Sequence, residues 1–450
     1  MLHSKAVLAG RGRTVKRMTL FDKIHTKSAH VGVIGLGYVG LPLAVEKAKA
    51  GFTVLGFDIQ PEKVAQVNRG ENYIGDVVPE ELENLVKEGR LSASADFGRL
   101  SECDVVAICV PTPLDHFKQP DLSYVKNSAL EVAAHAHREM LVVLESTTYP
   151  GTTEEVLKPL FEKRGFEIGR NLYLAFSPER VDPGNLRFKT KNTPKVVGGC
   201  TEECTRHAKA LYEAVLDAPV FAVSSPKEAE MTKILENTFR IVNCALANEM
   251  AMICDKLGIN VWEVIAAAAT KPFGFVPFYP GPGVGGHCIP IDPYFLTYKA
   301  RAADYHTRLI EMAGDINDEM PAYVVRRLQD LLNERCKPLK GSRVLLLGVA
   351  YKGDINDLRE SPALKVWDEL EAKGAEVLYH DPYCPVVKRK GLHVPSVALD
   401  PDFLKSCDAV VVTTAHTKKV DYDQMRQHAS LVFDTKNVIK GDPSPNIVLL

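Results

Sequence analysis

Residues His30–Asp58 constrain the fold more than any other stretch. His30–Gly35 (H-V-G-V-I-G) is a short β-branched run that feeds G-L-G-Y-V-G, with glycines at 35, 37 and 40. An amphipathic pattern follows through Leu41–Ala50, and Phe52–Phe57 (F-T-V-L-G-F) reads as a second strand ending at Asp58. A glycine turn alone is common and says little. Between a strand and a helix it becomes a dinucleotide fingerprint, because glycine allows the tight turn and the close approach of a pyrophosphate. The helix N-terminus adds free amides and a favourable dipole, and an acid about 20 residues on accepts from the ribose hydroxyls. Gly35, Gly37, Tyr38, Val39, Gly40 and Asp58 are therefore expected to hold NAD, since Asp58 would repel the 2′-phosphate of NADP.

Strand–helix alternation continues at Asp104–Val110, Leu141–Glu145 and Leu172–Phe176. These runs are almost wholly apolar, as a parallel sheet buried on both faces requires. Polar residues gather just past their C-terminal ends: Thr112 in P-T-P, Thr147 in E-S-T-T and Glu179 in S-P-E-R-V-D-P-G-N. Each could be ordinary turn chemistry. Their shared place on one sheet edge, where open α/β sheets bind ligands, favours a site.

From Pro226 the pattern turns helical for about thirty residues without Gly or Pro, and such a length suits a helix that links domains or forms a dimer interface. Lys233 and Asn237 stand at i and i+4, on one face, where both can reach one small oxygen, or they are a solvated Lys and an ordinary helical Asn. A shorter helix, Val261–Thr270, precedes K-P-F-G-F-V-P-F-Y-P. Gly281–Pro293 (G-P-G-V-G-G-H-C-I-P-I-D-P) then holds four glycines and three prolines in thirteen residues, so neither a helix nor a central strand can form there. In its middle is the thiol Cys288, with the carboxylate of Asp292 one helical step on. A thiolate there could add to an aldehyde, pass through a thiohemiacetal and a thioester, and so permit a second oxidation. His287 is beside the thiol, but adjacent residues on an extended loop point apart, which suits a shaping role better than a base.

Segments His306–Asn317 and Met320 to about Asn333 read as two further helices, with His306 and Arg308 either meeting a phosphate or capping the first. Gly341 then opens a second β–α pattern with strands in S-R-V-L-L-L-G, E-V-L-Y-H-D and D-A-V-V-V-T-T. G-V-A-Y-K-G lacks the dinucleotide spacing, so this lobe is expected to bind a different phosphorylated ligand, with Lys352 and Arg359 at its edge; Asp381 echoes Asp58. The expected fold class is α/β, with two Rossmann-like doubly wound domains joined by a long central helix. The expected division is an extension 1–28, an NAD domain 29–222, a helical domain with the Cys loop 223–318, and a C-terminal domain 319–450.

Composition excludes several classes. The 450 residues carry 55 basic and 57 acidic side chains, a net −2, so no basic field invites nucleic acid. No apolar run approaches the roughly 20 residues of a membrane span. The ten cysteines include no C-x-x-C pair, which argues against a structural zinc or any other metal site and for reduced cytoplasmic thiols. Residues 1–28 are basic (Lys5, Arg11, Arg13, Lys16, Arg17, Lys23, Lys27) and lack the apolar core of a secretion signal. They read as an extension ending in a short helix near Leu20–Ile24, with Met18 an alternative start.

V-I-G-L-G-Y-V-G-L-P-L, E-M-T-K-I-L-E-N-T-F-R and G-P-G-V-G-G-H-C-I-P-I-D resemble the UDP-glucose/GDP-mannose dehydrogenase family from about Ala29 to Leu450. The resemblance implies a four-electron, NAD-dependent oxidation of a nucleotide sugar's C6 alcohol to a carboxylate. It implies that Cys288 is the nucleophile, Lys233 and Asn237 the oxyanion pair, and Asp292 and Thr147 the holders of the catalytic water. Glu179 resembles a glutamate of thioester hydrolysis. Lys63, Thr112, Thr147 and Arg359 look like cofactor contacts. Glu179, Arg180, Lys233, Asn237, Phe278, Tyr279, Gly285 and Lys352 look like contacts to a UDP-sugar. The length of the 226–257 helix gives the expectation of a homodimer through it. S-P-E-R-V-D-P-G-N departs from the P-E-F-L-x-E form, and the thiol loop is most similar to UDP-N-acetylglucosamine 6-dehydrogenases of surface-polysaccharide pathways. UDP-N-acetylmannosamine dehydrogenases share E-R-V-x-P-G, and UDP-glucose is a further alternative. Two rivals have other chemistry: a two-electron dehydrogenase in which Cys288 is only packing, and a non-catalytic nucleotide-sugar sensor.

Overall fold

A computed structural model describes residues 18–182, 185 and 187–450. The expected extension falls mostly outside the described residues, as do Pro183 and Gly184 of the S-P-E-R motif. Thr19 caps a short helix, Leu20–His25, in a reciprocal capping box with Asp22. Leu20 and Ile24 from this helix are buried in the core of the first sheet.

The chain divides into two compact units. The first contains an eight-stranded sheet of β1 (His30–Ile34), β2 (Thr53–Phe57), β3 (Leu91–Ser94), β4 (Val105–Ile108), β5 (Met140–Leu144), β6 (Leu172–Phe176), β7 (Lys195–Gly199) and β8 (Val220–Ala222). Their spatial order is β3-β2-β1-β4-β5-β6-β7-β8. Chain order reverses between β1 and β4, which makes the switch-point crevice at the C-terminal strand ends. Two apolar clusters cover the two faces, and every residue of β4 and β5 is buried. One pairing departs from the all-parallel expectation: β6 and β7 run antiparallel through Ala175–Gly199 and Phe176–Gly198. Among the described residues of the link between them the one helical piece is a three-residue turn, Thr190–Asn192, too short to bring the strand back parallel.

The second unit has a parallel sheet of β9 (Arg343–Leu347), β10 (Glu376–His380), β13 (Ala409–Val412), β14 (Val432–Asp434) and β15 (Ile447–Leu449). The order is β10-β9-β13-β14-β15, again with a switch point beside its first strand. A hairpin of β11 (Val386–Arg389) and β12 (Leu392–Pro395) lies outside it. The fold is thus α/β with two Rossmann-like sheets. The long helix runs Pro226–Leu257 and belongs to the second unit from Glu230 onward. Among the described residues no helix is long and apolar enough to cross a membrane.

The two helices expected at 306–317 and 320–333 are one, Arg308–Asn333, with Pro321 inside it. Pro321 removes the donor to the Asn317 carbonyl, a loss that usually ends a helix. Tertiary packing overrides it here, because Met320, Val324, Val325 and Leu328 are all buried in the second core. The side chain of Asn317 is also fixed, donating to the carbonyls of Ile241 (3.1 Å) and Ala313 (2.8 Å).

Candidate active site

In the first unit the glycine turn has the form its sequence implies. Gly35 takes φ +90°, and a Cβ there would strike the Cys109 carbonyl. Gly40 has no room for a Cβ against the Gly35 carbonyl, whereas one at Gly37 would meet nothing within 4 Å. This leaves open space beside the backbone where a pyrophosphate would approach, above a helix (Gly40–Lys49) whose N-cap has no side-chain partner. The turn therefore fits a dinucleotide. Asp58 braces it: one carboxylate oxygen accepts from Leu36 N at 3.0 Å, the other from Gln60 N at 3.0 Å, and Lys63 Nζ stands 3.9 Å away. Tyr38 is exposed at the lip of the turn.

The second sheet repeats the device with different wiring. Gly348 takes φ +85°, and Asp381 accepts from Val349 N (2.7 Å) and Ala350 N (3.1 Å). Asp381 also meets His416 Nε2 at 2.9 Å, while His416 Nδ1 accepts from Asp354 N at 2.9 Å. The backbone donor fixes the proton on Nε2, so a neutral imidazole donates to Asp381. Lys352 and Arg359 follow on the same edge. Arg359 is bound to its neighbour Asp357, with Nε 3.0 Å from both carboxylate oxygens and Nη2 2.5 Å from one, so its expected cofactor contact would have to share that guanidinium.

Cys288 sits on the turn that starts the helix Asp292–Arg301, and its carbonyl accepts from Asp292 N at 2.9 Å. Lys233 and Asn237 are 8% and 5% exposed, so neither is a solvated helix residue. Asn237 Nδ2 donates to Asp292 Oδ2 at 2.5 Å. Burial raises the Asp292 carboxyl to about 7, against the opposing pull of Lys233 and the Asn237 bond. The Cys288 thiol is itself exposed, but the protein around it strips its hydration and, with the Asp292 charge, pushes it up; Lys233, Arg359 and Arg240 pull the other way. Burial pushes His287 down, and Arg359 adds to this, so it is neutral beside the thiol. His306 is exposed 3.5 Å from Glu311, which makes it a helix-end partner of that acid.

The glycines before Cys288 face protein. A Cβ on Gly283 would press on the Asn317 carbonyl, and one on Gly285 or Gly286 would strike Tyr351. Gly286 N donates to the Arg359 carbonyl at 3.0 Å. The loop thus packs directly on the segment that carries Lys352 and Arg359. Its entry is fixed by Asn248, which accepts from Gly281 N at 2.9 Å and donates to Asn317 at 2.8 Å. Phe278 packs edge-on against Phe239, and Tyr279 stacks on Trp262.

Thr112 donates to the Thr147 carbonyl at 2.8 Å, in the second unit. Glu179 lies in the first unit, where Lys195 Nζ is 3.0 Å from Oε2 and the amides of Arg180 and Val181 donate to Oε1 at 2.8 and 3.0 Å. Arg180 donates to the Pro194 carbonyl at 3.0 Å. Two groups escaped the sequence reading. Lys436 is a lysine pushed down by burial, its ammonium where any Cβ on Gly281 would be. Lys195 heads an apolar strand, P-K-V-V-G-G, where a charge with nothing polar around it was the one available signal.

A dinucleotide turn on one sheet and a second Rossmann sheet carrying a lysine edge, with a thiol loop packed on that edge, are the parts of an NAD-dependent dehydrogenase. The chain belongs to the UDP-glucose/GDP-mannose dehydrogenase family: that family's NAD binding domain matches residues 29–216, its central domain 227–319 and its UDP binding domain 345–441. It is an NAD-dependent UDP-sugar dehydrogenase. A UDP-N-acetyl-D-glucosamine 6-dehydrogenase of Pseudomonas aeruginosa is 35% identical over 93% of this chain and 99% of its own. A UDP-N-acetyl-D-mannosamine dehydrogenase of Pyrococcus horikoshii is 35% identical over 92% of this chain and 96% of its own. A solved structure of the UDP-D-ManNAc dehydrogenase from Pyrococcus horikoshii superposes with a TM-score of 0.85 at 34% identity, covering 93% of this chain and 98% of that one.

Proposed function

We propose that the chain oxidises UDP-N-acetylglucosamine at C6 to the uronic acid in two successive steps, through a covalent intermediate on Cys288. One observation carries this reading: a buried carboxylate, Asp292, titrating near 7 and bonded to Asn237, one helical turn from a thiol. A group that titrates near neutrality can take and return protons at working pH. When bound at the Gly35–Gly40 turn, NAD supplies the hydride acceptor for each oxidation.

The residues divide the work. As the C6 alcohol loses hydride, its proton leaves through water held by Asp292 and Thr147. The Cys288 sulfur adds to the aldehyde, and the oxyanion that forms is met by the Lys233 ammonium and the Asn237 amide, each such donor contributing roughly 3–4 kcal/mol. Loss of the second hydride leaves a thioester. Glu179 takes a proton from the water that cleaves it, and the thiol is regenerated with release of the carboxylate. Lys63, Thr112 and Arg359 contact the cofactor; Arg180, Phe278, Tyr279, Gly285 and Lys352 contact the UDP-sugar. The division 29–222, 223–318 and 319–450 assigns these tasks to three domains behind an extension 1–28.

The N-acetylglucosamine reading is supported by the 35% identical Pseudomonas aeruginosa relative. UDP-N-acetylmannosamine is the second reading, favoured by the Pyrococcus horikoshii match at TM-score 0.85. A panel of UDP-glucose, UDP-N-acetylglucosamine, UDP-N-acetylgalactosamine, UDP-N-acetylmannosamine and GDP-mannose, followed by NADH absorbance, decides between them. Two NADH per sugar are expected; one would sink the covalent scheme. The enzyme acts in the cytoplasm as a homodimer through the long helix, whose Met231, Leu235, Phe239, Leu246, Ile253 and Leu257 form an exposed apolar stripe. Leu235→Glu with Leu246→Glu should halve the mass in sedimentation, and an unchanged mass would remove this interface.

A further inference from the structure

Glu179 is the last member of a buried cluster of charges. Lys195 Nζ lies 2.8 Å from Glu145 Oε2 as well as 3.0 Å from Glu179 Oε2. The other oxygen of Glu145 takes Tyr212 Oη at 2.6 Å and Lys47 Nζ at 3.4 Å. Both ammoniums lie over the Tyr212 ring, at 4.9 and 5.4 Å from its centre. Cys109, which follows β4, is a further titratable neighbour, and burial pushes its thiol well up, so it is neutral. The cluster pairs two lysines with two glutamates, and Lys47, Glu145 and Lys195 are all almost fully buried, which pushes the Lys47 ammonium down.

Buried ion pairs of this kind seldom stabilise a protein more than apolar packing would. Glu145 already has Lys47 and Tyr212, so stability alone gives no reason for a second lysine bridging to Glu179. We propose that Lys195, anchored through Glu145, is a positioning residue that fixes the Glu179 carboxylate in place and keeps it an anion for the hydrolytic half of the reaction. The inference rests on the reading of Glu179 as the proton acceptor in thioester cleavage. In that step the water oxygen bonds to the thioester carbon and its proton passes to Glu179. The C–S bond then breaks, its electron pair returns to the Cys288 sulfur, and the proton held by Glu179 passes to that sulfur through solvent, which restores both groups. Burial alone would raise Glu179; the Lys195 charge, its hydrogen bond and the two amides bring it below its ordinary value. Hydride transfer uses neither Lys195 nor Glu179, so the two halves of the reaction should respond differently to loss of Lys195.

Lys195→Met and the charge-balanced Glu145→Gln/Lys195→Met variant test this, with folding checked by thermal melting. The double variant removes one cation and one anion together, so it remains informative where the single variant fails to fold. Each is mixed with NAD and the fastest-turning sugar of the panel, quenched, and weighed intact by mass spectrometry. The first NADH should appear at the parent rate while adduct accumulates on Cys288 and kcat falls roughly tenfold. The fraction of enzyme held as adduct should grow as pH falls, while the first NADH keeps the parent's pH profile, because Glu179 now ionises later. Glu179→Gln should accumulate the same adduct. A folded variant lacking Lys195 that holds no adduct at any pH overturns the proposal if Glu179→Gln does accumulate adduct. If Glu179→Gln turns over like the parent, the reading of Glu179 falls, and the proposal falls with it.

Discussion

Asp292 is a buried carboxylate and Glu179 a half-buried one, each with a lysine nearby, and their surroundings push them in opposite directions. Glu179 has Lys195 in direct contact and two backbone amides on its other oxygen, so it is held below the usual carboxylate range. Asp292 has the amide of Asn237 in contact and Lys233 only as a field, and burial wins, raising it to about 7. The lesson concerns contact geometry. An ammonium at hydrogen-bond distance outweighs the loss of hydration, and a neutral amide with a more remote charge does not. Two carboxylates whose environments separate their titrations are suited to different proton tasks.

The comparison can be broken by mutation, starting with the group both acids are proposed to serve. Cys288→Ser should abolish turnover by more than about a thousandfold while leaving NAD affinity, read by calorimetry, little changed. Parent-like rates would remove the covalent step and leave the two acids with no shared reaction. Asp292→Asn should cost roughly a hundredfold or more in kcat and erase the limb near pH 7, measured across pH 5–9.

The same variant sharpens the stability side. The folded carboxyl is raised above its unfolded value, so its contribution is complete below about 3.9 and is lost as pH rises through about 7. Asn cannot ionise, so Asp292→Asn should melt higher than the parent at pH 8 and near the parent at pH 4. An equal Tm difference at both pH values would show that Asp292 is not raised. Tyr212→Phe removes the hydroxyl that donates to Glu145 at 2.6 Å. It should cost about 1.5–3 kcal/mol in urea unfolding and leave the Asp292 limb where it was. The smallest effect is expected from Asn237→Gln at low substrate, where a retained but displaced amide should move the Asp292 limb up by less than about one unit.

Much of this molecule was legible as pattern. Strand–glycine–helix–strand–acid at His30–Asp58 dictated the first Rossmann turn because only glycine takes φ +90° at Gly35 against the Cys109 carbonyl. Apolar runs at β4, β5, β9 and β13 marked buried parallel strands for the same local reason. The two helices expected at 306–317 and 320–333 are one, because the local cost of Pro321 is visible in sequence and the burial that offsets it is not. The antiparallel β7 was also hidden, because strand direction depends on where a connection closes.

The sequence by itself therefore determined the elements, the turn that suits a dinucleotide, a thiol with Asp292 four residues on, and Lys233 and Asn237 one helical turn apart. Only the tertiary structure decided what those groups are. It turned Lys233 and Asn237 inward, bonded Asn237 to Asp292, and packed the Gly283–Gly286 backbone against Tyr351 and Asn317. It also joined Glu145, Lys195 and Glu179, which are far apart in sequence, into one buried cluster. The physical reason is that backbone geometry is dictated by neighbouring residues, whereas a carboxylate's charge is set by desolvation and by whichever partners the fold brings within 3 Å.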